Sequence, residues 1–220
     1  VIGGSVYDGK TLVSRQPRVS FSSDGTNWSP LQSVLEKGDW LWRVTWFGDT
    51  AYGVSYVSRS EGEWLLKLFR STDGINYDLV TLLDVPGSPN ETTLRFLPDG
   101  EMIALVRRES GNRHAWIGTS REAPYTDWTW TETGFQIGGP NFIILPDGSM
   151  WASGRAYGEE TRTVLARMTG TSYDPVLTLP SGGDTSYPGL AWHEGKLWIA
   201  YYSSHEGKAS IYLAQVTLPE

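Results

Sequence analysis

The sequence predicts an all-β fold, a β-propeller of four-stranded antiparallel blades. Three observations carry this. A stretch of the form Ser-x-Asp-Gly-x-Asn-aromatic occurs twice, as SSDGTNW at Ser22–Trp28 and STDGINY at Ser71–Tyr77, so Asp24 and Asp73 stand 49 residues apart. A second mark runs between these: FLPDGEMIALVRR carries Asp99 and ILPDGSMWASGR carries Asp147, 48 residues apart. Runs rich in Val, Ile, Trp and Tyr separate the marks, Pro and Gly fall between the runs, and no segment of useful length has helical period. A repeat of roughly 40–50 residues holding four short strands is the signature of a propeller blade. A two-sheet sandwich is the alternative, but it does not predict so even a period.

The elements follow in order. VIGGSVY, QPRVSFS and SPLQSV align with strands two to four of a blade whose innermost strand is absent. Repeats then begin near Trp40, Glu91, Asn141 and Tyr187, the last with three strands. One repeat reads TTLRFLP, a DG turn, EMIALVRR, HAWIGTS and WTWTET. Weaker copies of the marks lie at Gly48, Arg121, Gly170 and Glu194. The expectation is a single domain over 1–220 with about four and a half blades. It would lack its N-terminal blade or blades and belong to a six-bladed ring, with a five-bladed ring as the alternative.

Composition narrows the function classes. The formal net charge is −7, which argues against a nucleic-acid surface, because phosphate contacts need clustered Lys and Arg. Cysteine is absent, and His114, His193 and His205 lack the spacing of a zinc site, so neither a metal nor a cofactor is expected. No apolar run approaches the roughly 18 residues of a membrane span. The compartment stays open, with an extracytoplasmic or secreted one favoured.

Strand order assigns the faces. The DG turns and the Asp24 and Asp73 loops share one face, where those aspartates accept backbone N–H bonds within their own turns. The opposite face receives inner-strand starts and second-strand ends. These supply Trp40, Arg43, Glu91, Asn141, Asp184, Tyr187, Arg107, Arg155 and His205. Arg107 and Arg155 are equivalent positions in neighbouring blades. They form an anion pocket, or each braces blades through a nearby carboxylate. Tyr187 is a poor nucleophile unless Glu91 takes its proton. The plainer reading has Glu91 capping Arg95 or Arg107 and Tyr187 filling the channel.

The Ser-x-Asp-Gly loops resemble the Asp-box (bacterial neuraminidase repeat) of the sialidase superfamily. NETTLRFLPDGEMIALVRR and GGDTSYPGLAWHEGKLWIAYYSSHEGKASIYLAQV resemble two of its blades, in a divergent branch. The resemblance implies hydrolysis of a terminal sialic acid, with Tyr187 as nucleophile, Glu91 activating it, and Arg107 as one of three carboxylate-binding arginines. Pro140, Asn141 and Phe142 stand where another of those arginines belongs, and the acid/base aspartate has no equivalent. The candidate catalytic residues are therefore Tyr187 and Glu91. The candidate substrate-binding residues are Arg107, Arg155, Arg43, Asn141, Trp40, Asp184 and His205, with Asp24 and Asp73 structural. A carbohydrate or glycoconjugate is the expected partner, with self-association through unpaired blade edges. A non-catalytic carbohydrate-binding propeller, or a structural or engineered fragment, are the alternatives.

Overall fold

The computed structural model of the chain describes residues 3–58 and 64–218. Among them all regular structure is strand, in antiparallel sheets arranged as propeller blades. The first piece holds β1 (Ser5–Asp8), β2 (Thr11–Arg15), β3 (Arg18–Val19) and β4 (Gln32–Ser33), paired β1–β2 and β3–β4. Gln16 N–H donates to Gly4 O at 2.8 Å, which carries the β1–β2 ladder on towards β3. Strands two and three of this blade are thus one long bent hairpin. The sequence reading omitted Thr11–Arg15, which the left-handed Gly9 folds back onto β1. Val1 and Ile2 of the predicted first strand lie outside the described residues.

The second blade is β5 (Trp40–Phe47), β6 (Thr50–Ser58), β7 (Trp64–Ser71) and β8 (Asp78–Leu83). The third begins with β9 (Pro89–Phe96), β10 (Met102–Arg108) and β11 (His114–Ser120). β12 (Thr129–Ile144) then serves two blades: its first half pairs with β11 as far as Gln136, and its second half pairs from Ile137 with β13 (Met150–Ala156). The sequence reading ended one repeat at WTWTET and began the next near Asn141; the structure joins them in one 16-residue strand, bent where Gly134 and Gly139 take left-handed conformations. β14 (Arg162–Met168) and β15 (Tyr173–Thr178) complete the fourth blade, and β16 (Thr185–His193), β17 (Lys196–Ser203) and β18 (Ser210–Val216) form a fifth, three-stranded sheet.

The core lies between blades, and strand alternation builds it. On β10, Met102, Ala104 and Val106 face the second blade, while Ile103 and Leu105 face the fourth, all buried. Truncating such a residue to Ala costs about 2–5 kcal/mol. Inner strands are also tied by side chains that reach across blade seams. Thr45 Oγ1 donates to Leu94 O at 2.8 Å, Thr93 Oγ1 to Pro140 O at 2.8 Å, and Asn141 Nδ2 to Pro188 O at 2.9 Å.

The two aspartate turns have matching geometry. Asp24 Oδ1 accepts from the Thr26 and Asn27 N–H groups, and Asp73 Oδ1 from those of Ile75 and Asn76. Tyr77 packs against the Val19–Val34–Leu41 cluster. Trp28, expected beneath its turn, is 63% exposed. The strand that follows it, β4, has two residues where β8 has six, so no blade face forms to cover the ring.

Candidate functional site

Each inner strand breaks register with its neighbour at the end opposite the DG turns. The shifts fall between Leu41 and Val44, between Val106 and Arg108 opposite Pro89–Thr92, between Gly138 and Asn141, and between Ser186 and Gly189. A bulge frees a residue from the ladder and re-aims its side chain. The residues at these breaks are Arg43, Glu91, Gly139 and Tyr187, which follow one another at 48-residue intervals. Four blades therefore present one structural position to the centre, filled by a cation, an acid, a bare amide and a phenol.

Glu91 is the hub, with 5% of its surface exposed. Its Oε1 accepts from the Tyr187 hydroxyl at 2.8 Å. Its Oε2 accepts from Arg107 Nη1 at 2.6 Å and from Gly139 N–H at 3.1 Å. Arg107 Nη2 also pairs with Glu109 at 2.6 Å. Burial alone would push the Arg107 guanidinium down, but the Glu91 charge overrides it and holds it above its ordinary value. A residue larger than Gly at 139 has no room, because its Cβ would stand 2.5 Å from both Ser186 Oγ and Tyr187 Cδ1.

Tyr187 sits at φ 52°, a left-handed conformation costly for a non-glycine residue, yet its ring is 41% exposed. Trp42 flanks it at 5.4 Å and Tyr202 stacks at 5.9 Å. Burial first, then the Glu91 charge and hydrogen bond, push its hydroxyl up to about 12. The group is therefore a neutral donor near pH 7. To act as a nucleophile it would hand its proton to a carboxylate whose other oxygen is already held by Arg107 and Gly139.

A second cluster adjoins through Tyr202. The Tyr202 hydroxyl donates to Asp184 Oδ1 at 2.6 Å and accepts from Arg155 Nη2 at 2.8 Å. Arg155 also pairs with Asp184 at 2.8 Å and donates Nε–H to Thr185 O at 2.7 Å. Burial and the Asp184 hydrogen bond push Tyr202 up to about 12. Arg107 and Arg155 thus each pair with a carboxylate, which is the bracing alternative of the two the sequence left open and not the anion pocket. The acids were near enough in sequence to be named, but only the fold fixes which arginine each one meets.

The other predicted residues divide. Asn141 is buried and accepts from Arg95 Nη2 at 3.0 Å while bonding Pro188, so it ties blades beneath the site. Arg43 donates to Pro188 O at 3.4 Å, its guanidinium 5.6 Å from the Trp42 ring. Trp40 packs at the seam with the first piece, against Gly3 and 5.3 Å from the Arg15 guanidinium. His205 bonds Ser203 Oγ at 2.8 Å and packs on Tyr212. Neither Trp40 nor His205 touches the Glu91 cluster, because each lies at the flank of its blade. Sequence reasoning missed Gly139, which contributes only an N–H, and Tyr157, whose ring lies 5.9 Å from the Arg155 guanidinium. The 48-residue interval itself was the signal for Gly139.

No family model and no curated protein matches the chain. Solved structures do match. A protein of unknown function from Dyadobacter fermentans DSM 18053 superposes with TM-score 0.82 at 18% identity, over 98% of this chain and 67% of that one. The endo-arabinase from Bacteroides thetaiotaomicron VPI-5482 gives 0.65 at 14% identity, over 94% and 87%. The Bacteroides ovatus xyloglucan PUL GH43B gives 0.58 at 15% identity, over 83% of this chain and 39% of that one. This chain therefore spans only part of these proteins.

The structural neighbours include five-bladed propellers of glycoside hydrolase family 43 and not sialidases, and the fold of this chain is a β-propeller like theirs. This corrects the sialidase resemblance. An aspartate turn joining two outer strands, and a period near 48, report blade geometry that unrelated propellers share. Asp24 and Asp73 mark that geometry and not a superfamily.

Proposed function

We propose that the chain is a carbohydrate-active propeller, in which a glycan docks at the channel mouth on Tyr187, with Glu91 as the polar anchor behind it. The observation that carries this reading is the Tyr187 ring. It is exposed, yet fixed by a strained backbone, by the bond to Glu91 and by two flanking aromatic rings. A rigid aromatic face beside a few convergent polar groups is how sugar-sized ligands are held. The glycoside hydrolase fold supports the same reading. The test is calorimetric titration with arabino-, xylo- and β-1,3-galacto-oligosaccharides. One of these binds, Tyr187→Ala weakens it at least tenfold, and Tyr187→Phe retains most of it. Binding that ignores Tyr187→Ala, or no binding at all, rejects the reading.

A second reading is hydrolysis of a glycosidic bond. It rests on Glu91 and Asp184, each bonded to one hydroxyl of the stacked Tyr187–Tyr202 pair. Glycosidases place one carboxyl on each side of the scissile bond, one as acid and one as base or nucleophile. Loss of oligosaccharide turnover in both Glu91→Gln and Asp184→Asn, with binding kept, supports it. Unchanged turnover in either variant rejects it.

A further inference from the structure

Trp42 also lines a cavity of about 460 Å³ that Tyr187 does not border. Arg43 and Arg95 both line it, with Trp42, Trp46, Tyr77 and Phe21 among its walls and no Asp or Glu among the residues that form it. Buried charges are normally paired. These two are not. The Arg43 hydrogen bond goes to a backbone carbonyl at 3.4 Å, and its Nε is buried without a partner. Arg95 donates only to neutral acceptors: Leu94 O at 2.6 Å, Asn141 Oδ1 at 3.0 Å and Thr45 Oγ1 at 3.1 Å. Trp42 Nε1, on the same wall, is a second buried donor without a partner.

The two guanidiniums also repel one another. Burial, then the charge of Arg43, push Arg95 down to about 10, and burial pushes Arg43 down as well, against the opposing charge of Glu91. Elsewhere in the site the fold supplies each arginine with a carboxylate: Glu91 and Glu109 for Arg107, Asp184 for Arg155. At Arg43 and Arg95 it leaves like charges side by side, facing open space between aromatic walls. That arrangement is electrostatically complementary to an anion, and Arg forks bind planar oxyanions in pairs of hydrogen bonds.

We propose that Arg43 and Arg95 together bind an oxyanion group: the carboxylate of an acidic glycan, or a free inorganic anion of similar shape. Anion capture here does not depend on the Tyr187 reading; only the glycan as its source does.

The test titrates the full chain with sodium sulfate, digalacturonate and neutral galactobiose at constant ionic strength, following tryptophan fluorescence. Sulfate and digalacturonate bind, galactobiose binds at least tenfold more weakly than digalacturonate, and Arg43→Met or Arg95→Met weakens both anions at least tenfold. Digalacturonate binding tenfold tighter than sulfate identifies a glycan as the source; equal affinities identify the free anion. Tyr187→Ala, which tests the other reading, leaves sulfate binding unchanged. As a second readout, sulfate raises the parent's melting temperature above that in matched chloride, and Arg43→Met abolishes this increment. Melting without sulfate shows that each variant folds, and Arg43→Met carries the test if Arg95→Met does not. Anion affinities unchanged in a folded variant, or galactobiose binding as tightly as digalacturonate, overturn the proposal.

Discussion

The Tyr187 hydroxyl donates to Glu91 Oε1 at 2.8 Å across 96 residues of sequence. That bond joins the start of the third blade to the start of the fifth, passing over the fourth. Tyr187→Phe removes it and leaves Glu91 one donor short. Stability falls by about 1 kcal/mol, seen as a lower urea midpoint with an unchanged slope. An unchanged midpoint would show that the bond contributes nothing.

Glu91 anchors three donors, so its loss reaches further. Glu91→Ala leaves Arg107, mostly buried, with Glu109 alone. Removing one partner of a buried pair costs about 3–5 kcal/mol. Glu91→Gln keeps the shape and is expected to fall between Glu91→Ala and the parent. Denaturant unfolding of the two variants beside the parent gives the order, and equal stability of Glu91→Ala and the parent contradicts it.

The pH dependence has a definite sign. Folding raises the Tyr187 hydroxyl from 10.0 to about 12, so its stabilising contribution is complete below pH 10 and is lost as the pH rises towards 12. Tyr202 moves the same way and adds to the loss. Unfolding measured from pH 8 to 12 shows the decline above pH 10, and in Tyr187→Phe the decline is shallower. Identical slopes would assign the loss to other groups.

Gly139 is the one position in the 48-residue series with no side chain. In Gly139→Ala the new methyl meets Tyr187 and Ser186 while the backbone stays left-handed. The expected cost is about 1–3 kcal/mol, together with displacement of the Tyr187 ring. A crystal structure of the variant shows the Tyr187–Glu91 bond lengthened or broken; an undisturbed bond refutes the argument.

Asp24 and Asp73 test the turns apart from the site. Backbone N–H donors, those of Asn27 and Asn76 foremost, hold both carboxylates well below the usual range. A lowered value gives stability that is present above the ordinary carboxylate range and lost as the pH falls below that range towards the lowered folded value. Asp73→Ala therefore melts lower than the parent at pH 7, and the gap closes in acid. A gap that persists in acid would assign the effect to packing.

The blades were legible in the sequence because one period fixes their strands, turns and seams together. Glu91, Tyr187 and Arg107 could be picked out as chemistry-bearing residues on the face opposite the turns. What could not be read was pairing. Arg107 and Arg155 occupy equivalent positions, yet one turns to a carboxylate of its own blade and the other to the next blade. Arg95, a candidate partner for Glu91 in the sequence, bonds Asn141 and lines a separate cavity, while Glu91 pairs with Arg107. Trp40 and His205 were placed on the right face, but their lateral position depends on how far each blade splays, which no spacing encodes. The family likeness misled because its motif describes a turn between outer strands, which reports blade geometry and not a superfamily.

The unbroken β12 has a mechanical consequence. Where other blades meet through a loop, the third and fourth share a single continuous ribbon. Neither can rotate against the other without tearing hydrogen bonds from its own ladder. The pair behaves as one jaw, and any breathing of the ring is confined to the seams on either side. Tyr187 reaches over one of those seams to Glu91 and ties the fifth blade to the pair.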